Sequence, residues 1–415
     1  MTIFLALWLT FGLCQDSQLA FEALEQHGFE NISIQISDSS LVIVSYENRI
    51  YRNETLAMGV VATILSKRLS DFADFAFIPL HGGIPLGVVR FSNRDFTDFV
   101  ENRSSLQEFA AALTVEDYRD QLQNIEFSKR HRSSRRKIDL TFYPGMSAQF
   151  GNFDDHQKYY FSFIPDISMM LWDGFYVRAQ IEIPLWNEIM LYSNEVRPRL
   201  VTATQILRLP KSGFAAVHMG IFPPDRWGGS SEVSYYLCKR LFRLGATVDY
   251  TGFLLYQNKT LTYSPLQQTT YRLYGWFYPN FYNVQVGVNY SKYLSGDKGF
   301  GVKVNRYFLD TKIGFEAAKT DQDYFAKIHL SIPLLSQRRS SPGFIRIRPP
   351  WRYNWSYYST SDAETIGKLT ETGRQVLPGV NIEAFGKNIY PAYIKNNLYL
   401  WRTNRHIANL KNNLK

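Results

Sequence analysis

Four carboxylates in the middle and later part of the chain, Glu182, Glu232, Asp249 and Glu316, come nearest to a reactive set. Glycosidic chemistry needs two carboxyl groups held roughly 5–10 Å apart, and sequence spacing alone does not set that separation. Arg178, Arg243, Lys303 and Lys327 are at hand to neutralise these acids, so we read the set as charge pairs in a wet interior rather than as an acid and a nucleophile. The seven histidines (His27, His81, His131, His156, His218, His329 and His406) show no metal-ligand spacing. No HExxH, GxSxG, GxGxxG or P-loop pattern occurs, so no catalytic residue, metal or cofactor is expected. His218 and His329 fall on the polar phase of predicted strands and read as solvated imidazoles. Two loops, Pro223–Ser230 (PPDRWGGS) and Leu294–Gly299 (LSGDKG), carry Asp225, Arg226, Trp227, Asp297 and Lys298. That composition suits contact with a carbohydrate and equally suits ordinary tight connections.

The elements that position these residues follow a period of two. Phe175, Val177, Ala179, Ile181 and Ile183 alternate with Tyr176, Arg178, Gln180 and Glu182, and Phe242 to Tyr250 and Val284 to Tyr290 repeat the pattern. One apolar face and one polar face is what a strand between lipid and an aqueous lumen requires. About twelve such segments occur, at 138–150, 158–172, 174–185, 199–210, 213–222, 229–238, 240–256, 268–278, 280–293, 299–308, 311–319 and 323–334. Most exceed the roughly 5–6 residues of a globular strand and approach the 9–11 that cross a bilayer. Short turns (Asp173-Gly174, Lys211-Ser212, Lys239, Pro279-Asn280, Leu309-Asp310) alternate with mostly longer connections, which puts the short turns on one side. Of the 30 Phe, 27 Tyr and 8 Trp many cluster near strand ends, among them Trp172, Trp186, Tyr236, Trp276, Tyr278, Phe281, Tyr282, Tyr293 and Phe308, as suits the two interfacial girdles of a barrel.

The remainder of the 415 residues organises around this region. Residues 1–15 read as a signal peptide; a lipidated Cys14 is the alternative. With Cys238 the only other cysteine, no disulfide framework exists. Residues 18–113 read as a small α/β domain, with a helix capped by Asn53, a hairpin around His81-Gly82-Gly83-Ile84 and a polar helix over 94–113. Residues 114–137 are a basic linker ending in KRHRSSRRK, and a second basic stretch spans Arg338 to Arg352. These two stretches carry more charge than the net +9 of the whole chain. They read as solvated segments beside anionic headgroups rather than as a nucleic-acid site. Residues 354–415 read as a polar tail. No apolar stretch is long enough for a membrane-spanning helix. The expected fold is therefore mainly β: an antiparallel transmembrane β-barrel over 138–353 with a small N-terminal α/β domain.

Arg199–Pro210 (RLVTATQILRLP), Trp227–Leu237 (WGGSSEVSYYL), Asn283–Phe308, Asp323–Pro333 (DYFAKIHLSIP) and the LEQHGF turn carry a resemblance. The chain resembles the YjbH family of outer-membrane proteins encoded with exopolysaccharide and group 4 capsule assembly genes (the YjbH/GfcD type). The resemblance implies a bacterial outer-membrane barrel that assists synthesis or export of a surface polysaccharide without catalysis; twelve strands, which return the chain to the side where it started, put the α/β domain and the tail together in the periplasm. The implied partners are outer-membrane lipid, the polysaccharide and other assembly or export proteins, with no nucleic acid. A structural or adhesion barrel and a polysaccharide-modifying enzyme are the alternatives.

Overall fold

The computed structural model describes residues 16–37, 40–70, 72–118, 133–150, 157–189, 193–257, 260–308, 310–321, 324–334, 337–339, 343–360, 372 and 389–413. The expected signal segment with Cys14, residues 129–132 of the first basic block and most of 361–388 lie outside these.

Helix α1 (residues 16–26) stops before Gly28, whose φ of 85° suits glycine. Strands β1 (Glu30–Ser37) and β2 (Leu41–Glu47) pair antiparallel. Helix α2 (Glu54–Arg68) begins where the Asn53 side chain accepts from the Thr55 and Leu56 amides, and it crosses over to β3 (Asp74–His81), which lies parallel to β2. Strands β4 (Ile84–Pro85), β5 (Val88–Ser92) and β6 (Thr114–Glu116) complete a six-stranded sheet. The expected single helix over 94–113 is two, α3 (Asn93–Val100) and α4 (Leu106–Ala112). Asn102 adopts φ 63° between them, and Ser105 with Glu108 forms a capping box that restarts the helix.

Every residue of α2 from Thr55 to Leu65 is buried, on all sides of the helix. The sheet covers one side. The other is covered by α5 (Pro391–Asn397), α6 (Leu400–Thr403) and α7 (Arg405–Asn413). Trp401 is fully buried among Phe91, Phe96 and Phe109 and donates to the Thr55 carbonyl at 2.6 Å. Gly59 leaves room for its indole, which any Cβ there would strike. The described parts of the expected polar tail are thus structured: 354–360 lie inside a strand, and 389–413 pack into the core of the N-terminal domain.

The second sheet is built from β7 (Ile138–Phe150), β8 (Gln157–Trp172), β9 (Phe175–Asn187), β10 (Arg197–Leu209), β11 (Gly213–Phe222), β12 (Arg226–Leu237), β13 (Phe242–Gln257), β14 (Thr260–Tyr263), β15 (Gln268–Phe277), β16 (Val284–Lys292), β17 (Lys298–Phe308), β18 (Thr311–Thr320), β19 (Tyr324–Pro333), β20 (Ile345–Arg348) and β21 (Arg352–Thr360). Each of the twelve expected segments lies in a strand. The described sheet nevertheless has fifteen strands, because β14 hangs on β13 and the basic stretch and supposed tail supply β20 and β21.

From β7 to β19 neighbours are antiparallel, with β21 added antiparallel to β19 and β20 added parallel to β7. The hydrogen-bonded path is open, and its two ends are β20 and β21. Only residues 349–351 separate them, so one extended stretch pairs first with one edge and then with the other. Pro349 and Pro350, which lack amide donors, fall where the partner changes. The twelve strands expected to return the chain to its starting side gain a further pass: β21 runs away from the α/β domain, its Thr360 lying opposite Phe325, and the C-terminal helices nevertheless lie against that domain.

The burial of this sheet is inverted relative to a soluble sandwich. Val248 is 49% and Phe315 57% exposed, whereas Arg243 and His218 are fully buried. Along β9, Val177 and Ile181 face out while Tyr176, Arg178, Gln180 and Glu182 face in. Exposed aromatics lie at both strand ends: Trp172, Phe242, Phe281, Tyr282 and Phe308 near the α/β domain, and Phe150, Trp186, Tyr263, Phe300 and Tyr324 at the far end. Tyr236, Trp276, Tyr278 and Tyr293, also expected in the girdles, are buried instead.

Candidate functional site

The inner face of the second sheet is a chain of polar contacts. Arg178 donates to Asp166 from Nε at 2.7 Å and pairs with it through Nη2 at 2.6 Å. Its partner is thus Asp166, an acid on the inward phase of β8 that alternation would have revealed. Glu182 is held instead by Arg197 (3.3 Å) and Arg199 (3.1 Å). Glu232 accepts from the Tyr274 hydroxyl at 2.8 Å, and Asp249 accepts from Thr270 at 2.8 Å. Arg243 donates to Ser234 and lies over the rings of Tyr236 and Tyr274. Lys303 pairs with Glu316 at 3.2 Å across β17 and β18. Lys327 lies 4.7 Å from the Tyr358 ring centre, and His329 is buried. The four carboxylates lie on β9, β12, β13 and β18, each engaged by a different partner. Thr372 is also buried within hydrogen-bonding range of Thr270, placing this residue of the C-terminal segment against the inner face.

The loop residues are used locally, at the end away from the α/β domain. Asp225 accepts two bonds from Arg197, and Arg226 lies 3.7 Å from the Phe253 ring centre. The Trp227 indole donates to the Ser264 carbonyl, and Asp297 accepts from Ser295. Lys298 is exposed at the start of β17.

At the other end the short turns seat the α/β domain. The Gly174 amide donates to the Gly82 carbonyl at 2.8 Å, and Gly82, at φ 57°, rests against the Tyr176 ring, where a Cβ would collide. Glu47 accepts from the Gly82 and Gly83 amides and pairs with Arg49. Arg240, fully buried, pairs with Asp117 and donates to the carbonyls of Leu86 and Ile389. Arg52 pairs with Asp310 at 2.7 Å, and Tyr390 stacks on Tyr278 at 4.4 Å.

The second basic stretch belongs to this joint rather than to solvent. Arg346 bridges Glu30 and Asp139, which Arg348 also reaches; Lys137 closes on Glu30 at 2.7 Å. Burial alone would raise the Glu30 carboxyl, but Arg346, with Arg49 and Lys137 adding, holds it below the ordinary carboxylate range. The partners Glu30, Glu47 and Asp310 escaped sequence reading because each pairs across more than one hundred residues or through a turn.

Two cavities open behind this joint. One, of about 370 Å³, lies between the α/β domain and strands β7 to β9; the other, of about 290 Å³, continues along the inner face. Tyr143, Arg178, Arg352 and Asn354 line both. Among the described residues no group of His, Cys, Asp and Glu could hold a metal ion, and no helix is long and apolar enough to cross a membrane.

Fold and site together define a mainly-β protein whose large sheet is polar inside and apolar outside, with an α/β domain docked on one end. A family model described as "Exopolysaccharide biosynthesis protein YbjH", of the YjbH family, matches residues 13–200. That span takes in the α/β domain and the sheet as far as the start of β10. No curated protein matches the chain. Among solved structures the chain is similar to a loop L8 deletion mutant of OmpT, an outer membrane protein of Vibrio cholerae, at a TM-score of 0.31 and 9% identity, over 54% of this chain and 93% of that one.

Proposed function

We propose that this chain is a bacterial outer-membrane protein whose strands cross the bilayer and whose docked α/β domain and C-terminal helices occupy the periplasmic end. In that setting it assists exopolysaccharide or capsule assembly and secretion without catalysis, its polar interior serving as a path or docking surface for the polymer. The observation that carries the membrane placement is the inverted burial. Among the described residues no layer covers the apolar side chains of the outer face, and charges on the inner face lie buried against polar or charged neighbours, as Arg178 does against Asp166 and Glu182 against Arg197, which is what a lipid-embedded sheet demands. The match to the exopolysaccharide biosynthesis family supports the polymer. The separate engagement of Glu182, Glu232, Asp249 and Glu316 supports a role without chemistry.

Fractionation of expressing cells tests the placement: the chain should sediment with the outer membrane and migrate faster unheated than heated on a gel. Recovery in the soluble periplasm overturns it. Deletion should then abolish surface polysaccharide with membrane integrity kept, while amide substitution of the four carboxylates should leave export intact.

A further inference from the structure

The cavity between the α/β domain and strands β7 to β9 has an unusual wall. Among the described residues Arg49, Arg52, Arg178, Arg339, Arg348 and Arg352 line it, against Asp139 and Asp166. Some of this charge is balanced from behind. Arg49 has Glu47, Arg52 and Arg352 share Asp310, and Arg178 has Asp166. Two cations are left short. Arg348 shares Asp139 with Arg346, and its buried Nη2 has no hydrogen-bond partner among the described residues. Arg339 has no acidic partner among them: its guanidinium donates to the Pro349 carbonyl, lies 3.5 Å from the Trp351 ring centre, and keeps an enclosed Nε unpartnered. Burial, with Arg348 and Arg346 close by, pushes the Arg339 guanidinium down to about 9, the mark of positive charge that local acids do not offset.

We infer that this cavity is a binding subsite for the carboxylate groups of an acidic glycan, with Arg339 and Arg348 as the receiving cations. Guanidinium groups take carboxylates through paired donors, and an enclosed guanidinium with a spare donor gains most from an incoming anion. Trp351, Tyr143 and Tyr176 in the same wall offer ring faces to a sugar. The second cavity, sharing four wall residues, gives room for the next residues of a chain rather than for a lone anion. The inference rests on the polysaccharide reading above and adds the charge of the polymer.

The test is equilibrium binding of hexagalacturonate, maltohexaose and inorganic phosphate to the full chain in detergent. Hexagalacturonate should bind at least tenfold more tightly than either other probe and weaken as salt rises. Arg339→Gln should weaken it at least fivefold, Arg339→Lys, which keeps the charge but not the paired donors, should weaken it less, and Arg306→Gln, at an exposed position of β17, should leave it unchanged. Arg348→Gln should act as Arg339→Gln does; where it disturbs docking of the domain, the Arg339 pair decides alone. Equal binding of maltohexaose, phosphate binding as tight as the hexamer, or indifference to Arg339→Gln overturns the inference. A chain that fractionates with the outer membrane and supports export while failing these binding tests leaves the proposed function standing and removes only the acidic subsite. Loss of outer-membrane fractionation removes the proposed function instead.

Discussion

At the scale of single residues, the most consequential side chain is one that no motif marks. Trp401 fills the space above Gly59 and joins the last helices to α2. Trp401→Ala should cost the α/β domain about 3–5 kcal/mol through the cavity it leaves. The measurement is amide exchange in α2, which should lose protection while exchange in β11 to β13 stays unchanged. Glu54 and His406 make the same domain sensitive to pH in opposite directions. Burial raises the Glu54 carboxyl from 4.5 to about 7, with Glu47 adding to the rise. As pH climbs from 4.5, the unfolded chain loses that proton first, so this contribution to stability is full below 4.5, declines towards 7 and is flat above. Its size is up to about 3 kcal/mol. Burial, with Arg338 and His27 close by, lowers His406 from 6.5 to about 4, so its contribution is lost as pH falls through that window. Urea midpoints between pH 4 and 8 should therefore rise with pH in Glu54→Gln, where His406 and the depressed Glu30 both act in that direction.

At the scale of elements, the strands announce themselves and the joints do not. Alternation in β9, β13, β16 and β19 is strong enough that each side chain's face follows from its parity. If the outer face meets lipid, Val248→Arg in the middle of β13 should cost about 2–4 kcal/mol, whereas Val248→Leu should cost little. Folding into phospholipid vesicles, read as the heat-modifiable fraction against urea, measures both. Strands β20 and β21 were hidden for a physical reason. Ile345–Arg348 and Tyr353–Tyr357 alternate as the other strands do, but the first spans only four residues and a pair of prolines lies between them, so what fixes them as strands is the two sheet edges they pair with. The inward turn of Tyr236, Trp276, Tyr278 and Tyr293 has other origins. Parity itself turns Tyr236 and Trp276 inward, in phase with Ser234 and Tyr274, while Tyr278 and Tyr293 lie just past their strands, the first covered by Tyr390 and the second folded into the turn that ends at Asp297.

At the scale of the whole molecule, the short turns and the α/β domain share one end, and the loops around Asp225 and Asp297 occupy the other. Cys238, exposed in a short turn, reports on this arrangement. In a Cys14→Ser background, a membrane-impermeant maleimide should leave Cys238 unlabelled in intact cells and label it once the outer membrane is opened. A cysteine placed at Lys298, with Cys238 replaced by serine, should label in intact cells. The reverse pattern would invert the proposed orientation.

The amino-acid sequence by itself determined the local order: where strands alternate and that Asn53 begins a helix, because these depend on neighbours a few residues away. It also marked which polar residues share a face, including Arg178, Glu182, Arg243 and His329. Only the tertiary structure decided who pairs with whom. Arg178 takes Asp166 rather than Glu182, and the basic stretch meets Glu30 and Asp139 rather than solvent. The supposed tail becomes a strand at the sheet edge and then the missing cover of α2. Such pairings depend on which distant groups the folded chain brings within a few ångströms, and no periodicity along the chain encodes that distance.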